Sequence, residues 1–263
     1  MNSKKNKIVL SIDFDFFFKE DISFDWGHRE NAMFIEAIWP IRAMHLIANG
    51  VDLVKDVGIT GNPDEFAAQL IDLKWKFKRN FSLSIAESHA SAYHALKDNK
   101  DLEIINIDAH HDISYGQLDK LDCGNWIGRL AMEGKVKKVT FVYPEWRKIE
   151  ENYDYPSEEA LAKMEELGVE LDIVYGIHST HARKVDEVFI ARSGAWVPPW
   201  TDDNFYKFIH TWLFRTPKCT LWGYNCLEKF KRNFNWKEVK DAAIVQKNHV
   251  DEIKKLHPNG IFL

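Results

Sequence analysis

Two apolar, β-branched runs in this chain end in closely spaced carboxylates, and that recurrence limits the folds open to it more than any other feature. Ile104-Ile105-Asn106-Ile107 leads into Asp108, His110 and Asp112. Ile8-Val9-Leu10-Ser11-Ile12 leads into Asp13 and Asp15, with Phe14, Phe16, Phe17 and Phe18 around them. Runs of this kind read as buried strands. Alternate side chains of a strand share a face, so each run is expected to carry its acids on one side. Ionised carboxylates among phenylalanines are costly to bury unless they are paired or metal-bound. Aspartates that only cap a following helix, or that face water from an edge strand, are the competing readings. Two such runs predict strands delivering acids to one cluster. Carboxylates flanking an imidazole make a metal half-site of hard oxygen and borderline nitrogen donors.

Strands and helices alternate along the rest of the chain. Glu30 to Ile47 has helical apolar spacing, with Pro40 expected to kink it, and Val51 to Val57 reads as a short strand. Asn62-Pro63-Asp64-Glu65 opens a helix with an N-cap, a proline at the first position and acids in the first turn. That helix is expected to reach about Arg79, and Ser84 to Leu96 reads as another, carrying Glu87 and His89. Asp119 to Gly134 should be a loop entering a helix. Val136 to Tyr143 and Val169 to Tyr175 read as strands, separated by a helix from Ser157 to Leu167 that stops at Gly168. Thr220 to Tyr224 is a further strand candidate, and Trp236 to Leu256 an amphipathic helix. Ala182 to Thr216, with Trp196, Trp200 and Trp212, is the least regular stretch and reads as a packed surface loop or a substrate lid. The alternation predicts an α/β fold, a three-layer sandwich with a mainly parallel sheet, in one domain spanning 1–263.

Composition narrows the function classes. At 263 residues and 45% hydrophobic the chain can bury a large core. A net charge of −5 argues against a general nucleic-acid binder, and the basic stretch Lys229 to Phe234 reads as a solvated helix edge. Cys123, Cys219 and Cys226 are odd in number and form no C-x-x-C pair, which suits a reducing compartment and no zinc–thiolate site. The basic start is followed by Asp13 and Asp15, which interrupt any signal h-region, and no apolar stretch is long enough to span a bilayer. A cytoplasmic protein with no membrane partner is expected.

Asp108-Ala109-His110-His111-Asp112 matches the D-A-H-x-D motif of the arginase/ureohydrolase superfamily, and Ser11-Ile12-Asp13-Phe14-Asp15 matches its S-x-D-x-D motif. Glu87-Ser88-His89-Ala90 occupies the place of the family's Gly-Gly-Asp-His-Ser turn, without the glycines. S-x-D-x-D comes last in arginases and first here, so the chain resembles a circularly permuted member of the arginase/deacetylase-like fold. Gly124-Asn125-Trp126-Ile127 and Tyr143-Pro144-Glu145-Trp146 resemble the branch that includes peptide arginases of ribosomal peptide natural-product (RiPP) pathways. Those enzymes convert arginine side chains of a precursor peptide to ornithine. The similarity extends over about the first 150 residues.

By that resemblance His89, Asp108, Asp112 and Asp13 hold one metal ion and Asp108, His110, Asp13 and Asp15 the other, with Asp108 and Asp13 bridging. The oxygen-rich set suits two Mn²⁺ ions better than tetrahedral zinc. The implied chemistry is hydroxide attack on a guanidinium carbon, giving urea and an amine. The family's proton-donating histidine stands two residues after an Asn; if Asn125 is that Asn, Ile127 takes its place, and either the metal-bridging aspartates shuttle the proton or another histidine does, with His111, His178 and His181 as candidates. Asp56 and Glu87 are candidates for the carboxylate that receives the guanidinium, and Ser114, Asn125 and Trp126 for substrate contacts. Ser114 stands where arginases use an Asn to hold the α-charges of free arginine, which favours a peptide substrate. The resemblance thus implies a manganese-dependent peptide arginase whose partner is an arginine-containing precursor peptide, with homo-oligomerisation left open. The alternatives are a small-molecule ureohydrolase, a deacetylase-like amidohydrolase, and a metal-stabilised binding module without turnover.

Overall fold

Strands buried on both faces of a parallel sheet carry continuous apolar runs rather than alternating ones. Leu102–Ile107 is buried at every position, and Val9 to Asp13 likewise. In the computed structural model the described residues are 6–19, 30–71, 76–114, 119–148, 155–177, 184–223 and 232–256. They contain β1 (Lys7–Asp13), β2 (Lys76–Ala86), β3 (Leu102–Ile107), β4 (Val136–Tyr143), β5 (Glu170–Tyr175), β6 (Lys184–Ala191) and β7 (Thr220–Trp222). These form one seven-stranded sheet in the order β5-β4-β3-β1-β6-β2-β7, with every strand pairing parallel. The helices are α1 (Ala32–Ala48), α2 (Leu53–Asp56), α3 (Pro63–Gln69), α4 (Ser91–Leu96), α5 (Trp126–Met132), α6 (Glu158–Glu166), α7 (Asp202–Arg215) and α8 (Trp236–Leu256).

Helices cover both faces of the sheet. One core joins Leu10, Ile12, Leu83 and Ile190 to Ala67 of α3 and to Phe205, Phe208 and Trp212 of α7. The other joins Val9, Ile104, Val139 and Phe189 to α4, α5 and α6 through Leu96, Trp126, Leu130 and Met164. A smaller cluster packs α1, α2 and α8 through Ala43, Leu46, Leu53 and Val239. Layers of helix, parallel sheet and helix are therefore present. No helix among the described residues is long and apolar enough to cross a membrane. Cys123 and Cys219 are free thiols, and Cys226 lies outside the described residues.

Several element boundaries differ from the sequence expectation, each for a local reason. Val51–Val57 is not a strand: the Asp52 carboxylate accepts from the Val54 and Lys55 backbone N–H groups and starts the single turn α2. The helix capped by Asn62 ends near Gln69, and β2 occupies the stretch expected to split between two helices. Phe77, Phe81, Leu83 and Ile85 recur at the strand period of two. Glu87 and His89 consequently lie in the turn between β2 and α4, not on a helix. The stretch from 182 to 216 is also more regular than expected. Lys184–Ala191 pairs with both β1 and β2, and Phe205, Phe208, Ile209 and Trp212 follow the 3.6-residue spacing of α7. Helix α1 continues through Pro40, while α6 begins at the Ser157 cap and stops before Gly168, whose φ is +71°.

Candidate metal centre

From β1 the sheet grows one way as β3, β4 and β5 and the other way as β6, β2 and β7. In an open parallel sheet the crevice past the carboxyl ends of the strands, where the order diverges, is the usual ligand site. The turns following β1, β2, β3 and β6 meet there. Asp13 is the last residue of β1, and its Oδ1 accepts from the Asp15 N–H (3.1 Å) as the chain enters a 3-10 turn over Phe14–Phe17. Strand β3 ends at Ile107, so Asp108, His110 and Asp112 stand on the following turn and not on one strand face. Their convergence comes from that turn's geometry. Asp108 Oδ1 accepts from the His110 N–H (2.7 Å), and Asp112 adopts a left-handed backbone with φ +51°.

His89 is buried, and its Nδ1 lies 3.0 Å from Asp13 Oδ2, 3.1 Å from Asp108 Oδ2 and 2.9 Å from Asp112 Oδ2. A ring nitrogen carries at most one proton, so it cannot satisfy three carboxylates. None of the three meets it in good hydrogen-bonding geometry. Donor atoms about 3 Å apart are what a cation with bonds of about 2.0–2.2 Å gathers around itself. Two groups of this kind are present among the described residues, Asp13–His89–Asp108 and Asp15–Asp108–His110, and both include Asp108. Within the second, His110 Nδ1 lies 2.9 Å from Asp15 Oδ2 and 3.6 Å from Asp108 Oδ1. The oxygens of Asp15 are buried with no hydrogen-bond donor. The residues present therefore fit one or two metal ions.

A surrounding set of polar groups orients these ligands. Ser11 Oγ is 2.7 Å from His89 Nε2, Asn106 Nδ2 donates to Asp108 Oδ2 (3.0 Å), and Trp126 Nε1 donates to Asp112 Oδ2 (2.7 Å). Ser193, with φ +52°, donates to Asp13 from the turn after β6. That turn is itself held by a buried ionic network. Arg192 grips both Glu87 oxygens (Nε to Oε2, 2.9 Å) and lies 3.2 Å from Asp202 Oδ2. Arg232 pairs with Asp202 and donates to the Gly194 (2.7 Å) and Val197 (2.6 Å) carbonyls, and Trp39 donates to the Gly194 carbonyl (2.9 Å).

The crowding of acids sets their proton affinities. Burial, then the Asp13 and Asp108 charges, push Asp15 well above the usual carboxylate range. Burial and the Asp108 charge raise Asp112 to about 7. Burial opposes the charged form of Asp108, but the His110 and His89 rings beside it outweigh that and hold Asp108 well below its ordinary value. Burial likewise opposes the charged His89, and the Asp13, Asp108 and Asp112 carboxylates outweigh it, holding the ring's pKa well above the ordinary value. Glu30, which no motif marks, has both carboxylate oxygens buried, and burial with the Asp13 charge pushes it up to about 8.

The six expected metal ligands, Asp13, Asp15, His89, Asp108, His110 and Asp112, thus come together. The expected catalytic and substrate residues are mostly engaged in contacts within the fold. Asp56 is exposed on α2, with Oδ2 accepting from the Asp52 N–H (3.0 Å). Both Glu87 oxygens accept from the Arg192 guanidinium. His111 is buried, its Nδ1 accepts from the Ile113 N–H (3.0 Å), and burial with the His110 charge pushes its pKa down to about 4. Such a ring is neutral at pH 7 and carries no spare proton on that nitrogen. Asn125 is buried and spends its amide on Asp122 N and Lys120 O, and Trp126 is wholly buried as the Asp112 donor. Ser114 is half-buried at the end of the described turn. His178, His181 and the stretch Tyr115 to Leu118 lie outside the described residues, as do Lys229, Phe230 and Lys231. In the former lid candidate, Ser193 and the Trp196 ring, 5.1 Å from His110, reach the centre, while Trp200 packs on Trp39, Phe234 and Trp236.

Ser11 and Asn106 were within reach of sequence reasoning, because each lies on a strand two residues before a ligand. Ser193 and Glu30 carried no such signal. No protein-family model, curated protein or solved structure matches the chain.

Proposed function

We propose that this chain is a binuclear manganese hydrolase of the ureohydrolase type, acting on arginine side chains within a peptide. The reaction adds water across a guanidine C–N bond and leaves urea and an ornithine side chain. The observation that carries this reading is the meeting of three carboxylates on His89 Nδ1, next to a second group that shares Asp108. A donor set of carboxylates and imidazoles, with no thiolate, suits Mn²⁺. When bound, a pair of such ions lowers the pKa of water enough to supply a nucleophile at neutral pH. The chain's own groups do the rest: Asn106, Trp126, Ser11 and Ser193 aim the ligands, and the Trp196 ring offers a flat face beside His110 for a planar cation. The motif resemblance, with its permuted order, and the poor match of Ser114 to a free-arginine clamp support the peptide as substrate.

The test pairs elemental analysis with mass spectrometry. Protein incubated with Mn²⁺ and an arginine-containing peptide should release urea and leave the peptide lighter by about 42 Da, the net of the urea lost and the water added. Efficient turnover of free arginine with the peptide untouched would instead favour the small-molecule ureohydrolase. Two bound ions and no urea from any guanidino compound would favour the binding module.

A further inference from the structure

The turn that carries Asp15 into the metal centre also sends Phe16 and Phe17 into the wall of a neighbouring cleft of about 380 Å³. Its other walls are the segment after β4 (Pro144, Glu145, Trp146), the segment after β5 (Gly176, Ile177), and the start of α3. The cleft therefore opens at the same edge of the sheet as the metal centre. Its volume falls within the range of about 300–1,000 Å³ common to ligand sites. We propose that this cleft binds a second cationic side chain of the substrate peptide, an arginine or lysine near the arginine that is hydrolysed. The inference rests on the peptide reading above and narrows the substrate to a basic sequence.

Charge argues for the occupant. Two carboxylates, Glu65 and Glu145, line the cleft, and no Lys or Arg does. Among the described residues neither glutamate forms an ion pair. The hydroxyl of Thr60 donates to the Phe17 carbonyl (2.7 Å), and Asn62 Oδ1 caps α3, so these polar groups are occupied. Arg147, next in sequence to the lining residue Trp146, is buried and lies over the Trp146 ring at 4.9 Å. The cleft is also shaped around one of its acids. Gly176 has φ +68°, and a Cβ there would stand 2.7 Å from Glu145 Oε1, so the Glu145 side chain lies across the place a Cβ would take. Phe16, Phe17, Phe66 and Trp146 supply aromatic walls. Carboxylates over aromatic rings fit an alkyl stem ending in a cation better than a bare metal ion, which seeks several convergent oxygens.

Two synthetic peptides test this, alike except that the residue flanking the single arginine is lysine in one and norleucine in the other. Binding is measured by calorimetry and hydrolysis by urea release, with Mn²⁺ present. The wild-type protein should bind the lysine peptide about tenfold more tightly, with a correspondingly lower KM, and the gap should shrink in high salt. In the double variant Glu65→Gln, Glu145→Gln the preference should vanish, with bound metal as the check on folding. Gly176→Ala should reduce it by displacing Glu145. Equal binding of both peptides by the wild type, or a preference surviving in the double variant, overturns the inference. If the lysine peptide is preferred in calorimetry and neither peptide yields urea, the cleft inference stands and the hydrolase reading falls. If urea forms equally well from both, the reverse holds.

Discussion

His89 Nδ1 faces three carboxylates with at most one proton to share, so the protonation of the centre belongs to the group rather than to any one residue. This makes the metal-free protein sensitive to pH in a definite direction. Asp112, raised to about 7, and Glu30, raised to about 8, hold protons in the fold that the unfolded chain has released above about pH 4–4.5. The folded state binds more protons across those windows, so stability falls as pH rises toward 7 and 8. The raised His89 adds to the fall above its ordinary value of 6.5. His111, lowered to about 4, opposes the trend only between 4 and 6.5. Thermal melts in chelator should therefore show a midpoint that drops from pH 6.5 to 8, and Glu30→Gln should shallow that drop. Added Mn²⁺, which takes the deprotonated ligands, should flatten it. A midpoint that rises over this range in chelator would contradict these proton affinities. At the same scale, Asp108→Ala removes the one residue common to both ligand groups. It should leave less than one equivalent of bound manganese by elemental analysis and abolish hydrolysis, and full activity would exclude Asp108 as a shared ligand.

The turn from Arg192 to Val197 couples the ionic network to the centre, because Ser193 within it donates to Asp13. Arg192 is wholly buried and its partner Glu87 nearly so. Removing one member leaves an uncompensated buried charge, so Arg192→Met should cost about 3–5 kcal/mol in urea unfolding. Pairing it with Glu87→Met should recover most of that stability but not the metal affinity, because Ser193 is no longer held. Recovery of both would confine the network to a structural part. Helix α5 makes a second such contact: a Cβ at Gly128 would stand 1.9 Å from the Ile113 carbonyl oxygen. Gly128→Ala should cost about 1–3 kcal/mol and weaken metal binding, since α5 carries the Trp126 that orients Asp112. Elements of this kind were unevenly legible in the sequence. The acidic strand ends stood out because aspartates are rare inside apolar runs, and α6 and α8 because their caps or spacing are local. Strand β2 hid behind the charged residues Lys76, Lys78 and Arg79 that lie among its phenylalanines, and β6 was masked by the aromatic stretch that follows it. Arg192 and Glu87 could not be paired by inspection, as 105 residues separate them.

Across the whole molecule the sheet order is the part that sequence reasoning left undetermined, because a parallel strand's neighbours are fixed by long-range packing rather than by local pattern. The alternation of strands and helices was sufficient for the layers but not for β1 between β3 and β6. Metal binding to a site assembled from four strand ends should stabilise the fold as a unit. Manganese at a hundredfold its Kd should add about 2.7 kcal/mol to the unfolding free energy, and chelator should remove it. An unchanged denaturation midpoint at saturating metal would mean that the ligands assemble equally in the unfolded chain. The position of β1 also sets an order of events. Its backbone meets β6 across 178 residues, as the bond from the Ile8 N–H to Asp186 marks. Closing so long a loop is slow, and a chain whose middle strand waits for a distant partner collapses before it is registered. During synthesis the aspartates of β1 exist long before Ser193 arrives to orient Asp13, so full metal affinity waits until the chain has been made through the turn after β6.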